Sequence, residues 1–134
     1  MTNPTPPRTV VRRAALAAAG GAIGTAARLG VGMLVPGALA HGAAIGVLVA
    51  NVLGSLLLGV LVARLPSSDL RIFVGTGMLG GFTTYSAFAV DTVALWETAP
   101  ALAVGYVVVS IALGLAAAAL GLRLGRRPVR GSAA

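Results

Sequence analysis

Residues 74–96 read VGTGMLGGFTTYSAFAVDTVALW. Most of this stretch is apolar, yet Gly80-Gly81 and Thr83-Thr84 stand together in its middle, and glycine and threonine are poor helix formers. The apolar run, begun at residue 70, is also longer than the ~20 residues that one membrane crossing needs. Both features predict a helix interrupted within 79–85, the alternative being a continuous helix weakened by glycine. Broken backbone is tolerated at membrane depth only where its freed polar groups are buried in protein or line a cavity. Such breaks suit ions: free carbonyls face a cation, and half-helix N-termini favour an anion. Asp91, two turns further on, reads as interfacial or paired rather than catalytic.

Outward from this stretch lie three more apolar runs, 14–35, 42–64 and 100–123. The chain is 57% apolar and only 10% charged, with a mean hydropathy of +0.96. A soluble domain keeps about a quarter of its residues charged, so the expected solvent is lipid. We therefore expect an all-α membrane protein of four transmembrane helices (14–35, 42–64, 70–96 and 100–123), the third broken at mid-span. Residues 14–124 form one transmembrane domain, and the short connections 36–41, 65–69 and 97–99 leave no room for a soluble one. Residues 1–13 are polar and proline-rich and read as a disordered basic cytoplasmic N-terminus. The basic stretch 125–134 reads as a mobile tail. Arg12-Arg13 ahead of an alanine-rich stretch resembles a twin-arginine export signal, but Arg28 and GGAIGTAARLG prolong the segment to a full span, so retention is expected.

Cysteine is absent, which removes disulfides and thiolate chemistry together. His41 is the sole histidine and no nucleophile–base set is visible, which argues against an enzyme. Ten arginines without lysine face three acidic residues, a net charge of +7. A basic face on a folded domain would suit nucleic acid. These arginines instead flank apolar runs, so the expected partner is the bilayer and no nucleic acid.

The spans are rich in small residues, among them Gly20, Gly21, Gly24, Gly54, Gly59, Gly121 and Gly125, which let membrane helices approach closely. The polar residues within them are few. Arg28 reads either as a snorkelling side chain or as a cation lining an aqueous vestibule. Asn51 reads as a helix-to-helix hydrogen bond or as a neutral donor to an anion, and shares a face with Gly54. Tyr85 and Phe88 share one helical face, as ordinary packing or as ring edges turned to an anion. Tyr106 and Ser110, four apart, place two hydroxyls on one face, although serine in a span often bonds its own backbone.

Taken together, GAIGTAARLG, NVLGSLLLG and GGFTTYSAF resemble the motifs of the Fluc (CrcB) fluoride channels, in the same order and spacing across residues 18–124. The third motif is the specific one. The resemblance implies an antiparallel dimer in the cell membrane, with two passive fluoride export pathways and a central structural sodium ion (Na+). It implies that the backbone carbonyls of Gly80 and Thr83 hold the sodium. It maps the pore amide to Asn51, the paired rings to Tyr85 and Phe88, the polar track to Tyr106 and Ser110, and the first-helix arginine to Arg28. Departures occur at Tyr85 (usually phenylalanine), Val47 (often threonine), Gly114 (often a hydroxyl) and Leu29 (an aromatic), and they put a complete conducting track within one subunit in doubt.

Two rivals differ in kind. A small proton-coupled drug exporter needs a carboxylate within a span, typically the first, which here has none. A non-transporting membrane assembly protein fits the composition but gives no reason for GGFTTYS. Finally, four spans put Arg8, Arg12, Arg13, Arg64, Arg71, Arg123, Arg126, Arg127 and Arg130 on one side and no arginine in the connections of the other. The positive-inside rule then sets both termini in the cytoplasm. An antiparallel homodimer needs insertion both ways, so we expect a heterodimer with an oppositely oriented paralogue, the homodimer being the alternative.

Overall fold

The computed structural model describes residues 7–34 and 41–126, and all regular structure among them is helical. In order these are α1 (Pro7–Leu34), α2 (Gly42–Arg64), α3 (Asp69–Arg71), a π-helical stretch (Ile72–Leu79), α4 (Gly80–Phe82), α5 (Tyr85–Thr98) and α6 (Pro100–Gly125). With 28, 23 and 26 residues, α1, α2 and α6 each exceed the ~30 Å of a hydrocarbon core at ~1.5 Å per residue. They are also apolar enough to cross it. With 14 residues, α5 is too short to cross alone. The chain is an all-helical, multi-pass membrane protein.

The first helix corrects one expectation. Residues 7–13, read as disordered, belong to α1. Pro7 suits a first helical position, where its missing N–H is no loss. Arg12 pairs with Asp69 at the start of α3, and Arg13 Nε stands 4.0 Å from the other Asp69 oxygen. Of the expected lead-in 1–13, connection 36–41 and tail 125–134, residues 1–6, 36–40 and 127–134 lie outside the described residues, as does residue 35 of the first expected span.

Local chemistry explains the remaining ends. Leu65 turns extended ahead of Pro66 and closes α2. The Ser68 hydroxyl accepts the Arg71 N–H at 3.3 Å and caps α3. Pro100 opens α6 directly after α5.

Two glycine seams hold the helices together. Along the first, α1 lies on the π-helical stretch, and a Cβ on Gly77 would stand 2.8 Å from both the Ala17 carbonyl oxygen and Gly20 Cα. Along the second, α2 lies on α6, and a Cβ on Gly59 would stand 3.0 Å from Gly121 Cα. Such contacts substitute for the hydrophobic drive that lipid removes. The π-helical turns fall where glycines let two neighbours press in, since a Cβ on Gly75 would meet Leu61 of α2 at 2.9 Å. Irregularity thus begins at Ile72, ahead of the 79–85 window that composition singles out.

The buried apolar core is small: Ala44, Ala50, Leu79, Leu95 and Ala103. Large apolar side chains such as Leu29, Val90 and Leu115 lie exposed along the outside. A surface of this kind is at home in lipid or against a second subunit.

Candidate functional site

Helix α4 ends at Phe82 and α5 begins at Tyr85, with Thr83 and Thr84 both extended between them. Threonine tolerates that backbone better than a helical one. The Thr83 N–H still closes on the Leu79 carbonyl at 3.0 Å, where the Thr83 hydroxyl also donates at 2.9 Å. The regular ladder stops there.

The amides beyond it take side-chain partners. Thr84 N–H donates to Asn51 Oδ1 at 2.8 Å, and Asn51 Nδ2 donates back to the Thr84 carbonyl at 3.1 Å. Ala87 N–H donates to Thr84 Oγ1 at 3.2 Å, which makes Thr84 the N-cap of α5. In an unbroken helix the Thr84 and Ala87 amides would serve the carbonyls of Gly80 and Thr83. Both carbonyls are therefore released from the ladder. The Gly81 carbonyl has also left the ladder but is not free, since Thr25 Oγ1 and Arg28 Nε each donate to it at 3.4 Å.

A cavity of about 320 Å³ opens at this break, and its walls include Asn51, Ser55, Gly80, Thr83, Tyr85 and Phe88. Rings continue from it as a row. Tyr85 and Phe88 have centroids 6.0 Å apart, and Phe88 and Tyr106 lie 5.3 Å apart, both pairs tilted. Tyr85 is 81% exposed and turns outward. Beyond Phe88 lie three buried polar atoms with no hydrogen-bond partner among the described residues: Asp91 Oδ2, Tyr106 OH and Ser110 Oγ. Tyr106 and Ser110 lie one helical turn apart on α6. An unpaired polar atom costs several kcal/mol in lipid, so this row requires water, an ion or a second subunit beside it.

The expected site residues divide accordingly. Asn51, Gly80, Thr83, Tyr85 and Phe88 share one cavity, and Tyr106 joins them through the Phe88 ring. Arg28 lies apart, in a cavity of about 340 Å³ between α1 and α2 that Val47 also lines. Among the described residues no partner stands on Asp91 Oδ2, against the paired reading. Two residues escaped sequence reasoning. Thr25 lies one turn before Arg28, and that i, i+3 spacing was its only signal. Ser55 stands in the quoted second motif, lines the main cavity, and faces Gly114, where a Cβ would stand 3.7 Å from its hydroxyl.

Neutral carbonyl oxygens released from a helix ladder are suitable ligands for an alkali cation. Gly80 and Thr83 supply two such oxygens beside one cavity, and the described residues include no group of His, Cys, Asp and Glu side chains able to hold a metal. Two neutral oxygens of this kind suit an alkali cation, the class to which sodium belongs.

Comparison with known proteins gives one family. The model of the family described as CrcB-like protein, Camphor Resistance (CrcB), matches residues 15–122. A fluoride-specific ion channel FluC of Paracoccus denitrificans is 50% identical over 113 residues, covering 81% of this chain and 90% of that one. Proteins of the same name from Agrobacterium fabrum and Thermus thermophilus are each 42% identical. They cover 84% and 86% of this chain, and 94% and 96% of their own.

Proposed function

The chain belongs to the CrcB family, and from that membership we propose that it is a subunit of a fluoride-specific channel in the cell membrane. It is a channel protein, not an enzyme. The observation that carries the proposal is the lock between Asn51 and Thr84, which holds open a break whose cavity meets the ring row. Such an arrangement has a use in an ion path and none in a packing helix.

In this reading residues 69–98 form the third of four crossings, broken at its middle. Asn51 uses its Oδ1 and one N–H on Thr84, leaving a second N–H of its amide for the anion. A neutral donor binds fluoride without trapping it, as conduction requires. Tyr85 and Phe88 offer ring edges, which are positive, and Tyr106 and Ser110 offer hydroxyls as the next donors along α6. Arg28 acts at one remove, by holding the Gly81 carbonyl and drawing anions toward the break. Flow is passive, and a negative cell interior favours fluoride exit by ~2.3 kcal/mol per 100 mV.

The released carbonyls of Gly80 and Thr83 would hold a structural sodium ion. When bound, it would supply a fixed positive charge beside the break. In this reading the path is completed in an antiparallel dimer, as the resemblance to the fluoride channels implies. The distribution of arginines favours a partner of opposite orientation, a related chain, over a second copy.

Fluoride efflux from proteoliposomes tests the proposal, with this chain alone and with any paralogue from the same genome. Fluoride flux in either preparation is the expected result. Proton-coupled drug efflux without fluoride flux in both would overturn it.

A further inference from the structure

The ends of α2 and α6 carry a basic site that the ion path does not use. Gly125 brings α6 onto α2, where a Cβ on it would stand 2.9 Å from the Val60 carbonyl oxygen. One turn on, Arg64 Nη2 donates to the Leu124 carbonyl at 3.2 Å. Arg123 and Arg126 flank that contact, linked by the Arg126 N–H on the Arg123 carbonyl at 3.3 Å, and all three arginines are exposed. Guanidinium groups are placed well at helix C-termini, whose partial charge is negative.

Among the described residues these charges have no acidic partner. The chain has three acidic side chains. Asp69 is engaged by Arg12 and Arg13, Asp91 is a half-buried residue of α5, and Glu97 lies at the far end of that helix. The arginines stand next to exposed apolar side chains, Val62, Leu122 and Leu124, the last 56% exposed. Basic heads above apolar flanks at the end of a membrane helix match one kind of partner. A phosphodiester offers oxygens that guanidinium groups bind in pairs, and acyl chains cover the leucines.

We propose that Arg64, Arg123 and Arg126 form a binding site for the headgroup of an anionic phospholipid. The site lies at the interface, where basic residues between membrane helices capture such headgroups. It serves the α2–α6 seam, because a bridging phosphate offsets the repulsion among three guanidinium groups held at its end. The inference is independent of what the channel conducts.

The test uses the purified full-length protein in non-ionic detergent. Phosphatidylglycerol or phosphatidylcholine of identical acyl chains is titrated in, and lipid adducts are counted by native mass spectrometry alongside the melting temperature. Wild type should retain phosphatidylglycerol preferentially and melt higher with it. The variant Arg64→Gln/Arg123→Gln/Arg126→Gln should lose about tenfold or more in apparent affinity, and Arg8→Gln/Arg71→Gln, altered at the same end of the molecule, should not. If the triple variant fails to fold, Arg123→Gln/Arg126→Gln keeps the Arg64–Leu124 contact and should still show most of the loss. Equal retention of both lipids, equal loss in the control variant, or the same stabilisation by inorganic phosphate alone would overturn the proposal.

Discussion

Asn51 and Thr84 hold each other through two hydrogen bonds, the amide of one receiving and returning the backbone of the other at 2.8 and 3.1 Å. One side chain on α2 thus stands in for the helical ladder that the third segment loses. Replacing Asn51 with alanine leaves an N–H and a carbonyl unpaired away from water, at ~1–3 kcal/mol for each group. Asn51→Ala should lower the melting temperature and reduce fluoride flux by about tenfold or more. Asn51→Asp, which accepts but cannot donate when ionised, should rescue neither. Unchanged flux in Asn51→Ala would remove this residue from the path.

The α1 seam makes a sharper structural test. A methyl on Gly77 would push into the backbone of Ala17 and Gly20, and backbone cannot step aside. Gly77→Ala should destabilise the protein by ~1–3 kcal/mol, the usual range for overpacking. Gly30→Ala and Gly32→Ala, whose methyls would meet nothing within 4 Å, should melt as wild type. Equal melting of all three variants in detergent would contradict the close approach.

Much of this arrangement was legible in residue order, and its gaps have physical causes. The weakness at Gly80-Gly81 and Thr83-Thr84 is local propensity, so sequence reports it. The π-helical turns from Ile72 depend on α1 and α2 pressing against Gly75 and Gly77, and no window along one helix carries that. Asn51 was legible as a costly polar residue, but its partner is 33 residues away. Residues 7–13 were misread because proline, arginine and polar content suggest disorder, whereas Asp69, distant in sequence, holds Arg12 and Arg13 in a helix. Arg28 was grouped with the pore residues by motif, yet Thr25 and the Gly81 carbonyl place it on the other side of the break.

The unpartnered hydroxyls separate packing from conduction. Tyr106 OH and Ser110 Oγ have no partner among the described residues, so deleting either breaks no bond there. Tyr106→Phe and Ser110→Ala should leave stability within ~0.5 kcal/mol of wild type. In a conducting complex both should nevertheless slow fluoride flux. Wild-type flux from the double variant would show that these hydroxyls do not meet the ion.

Sodium at the Gly80 and Thr83 carbonyls would bind the folded state alone and so stabilise it by mass action. At a concentration 100 times its dissociation constant the gain is ~2.7 kcal/mol. The melting temperature should therefore climb with sodium at constant ionic strength, set by N-methylglucamine chloride, and potassium should substitute poorly. Because the ligands are backbone atoms, Thr83→Ala should keep the sodium response, though it loses the bond from Thr83 Oγ1 to Leu79. A melting temperature indifferent to sodium would count against the site.

The arginines also bear on assembly. Arg12 and Arg13 meet Asp69, and Arg64 meets Leu124, so the start of α1, the end of α2, the start of α3 and the end of α6 share one end of the molecule. Arg8, Arg71, Arg123 and Arg126 stand on those same termini, and Arg127 and Arg130 follow in sequence. Glu97 closes α5 near the opposite end. Such a one-sided excess of arginine drives insertion with that end in the cytoplasm. An antiparallel homodimer would need half of the copies to insert against the bias. Reporter fusions at the C-terminus should therefore signal the cytoplasm alone. Reconstituted by itself, the chain should conduct fluoride poorly, and full flux should return with a related chain whose arginine bias is reversed. Mixed fusion signals, or full flux from this chain alone, would establish the homodimer instead.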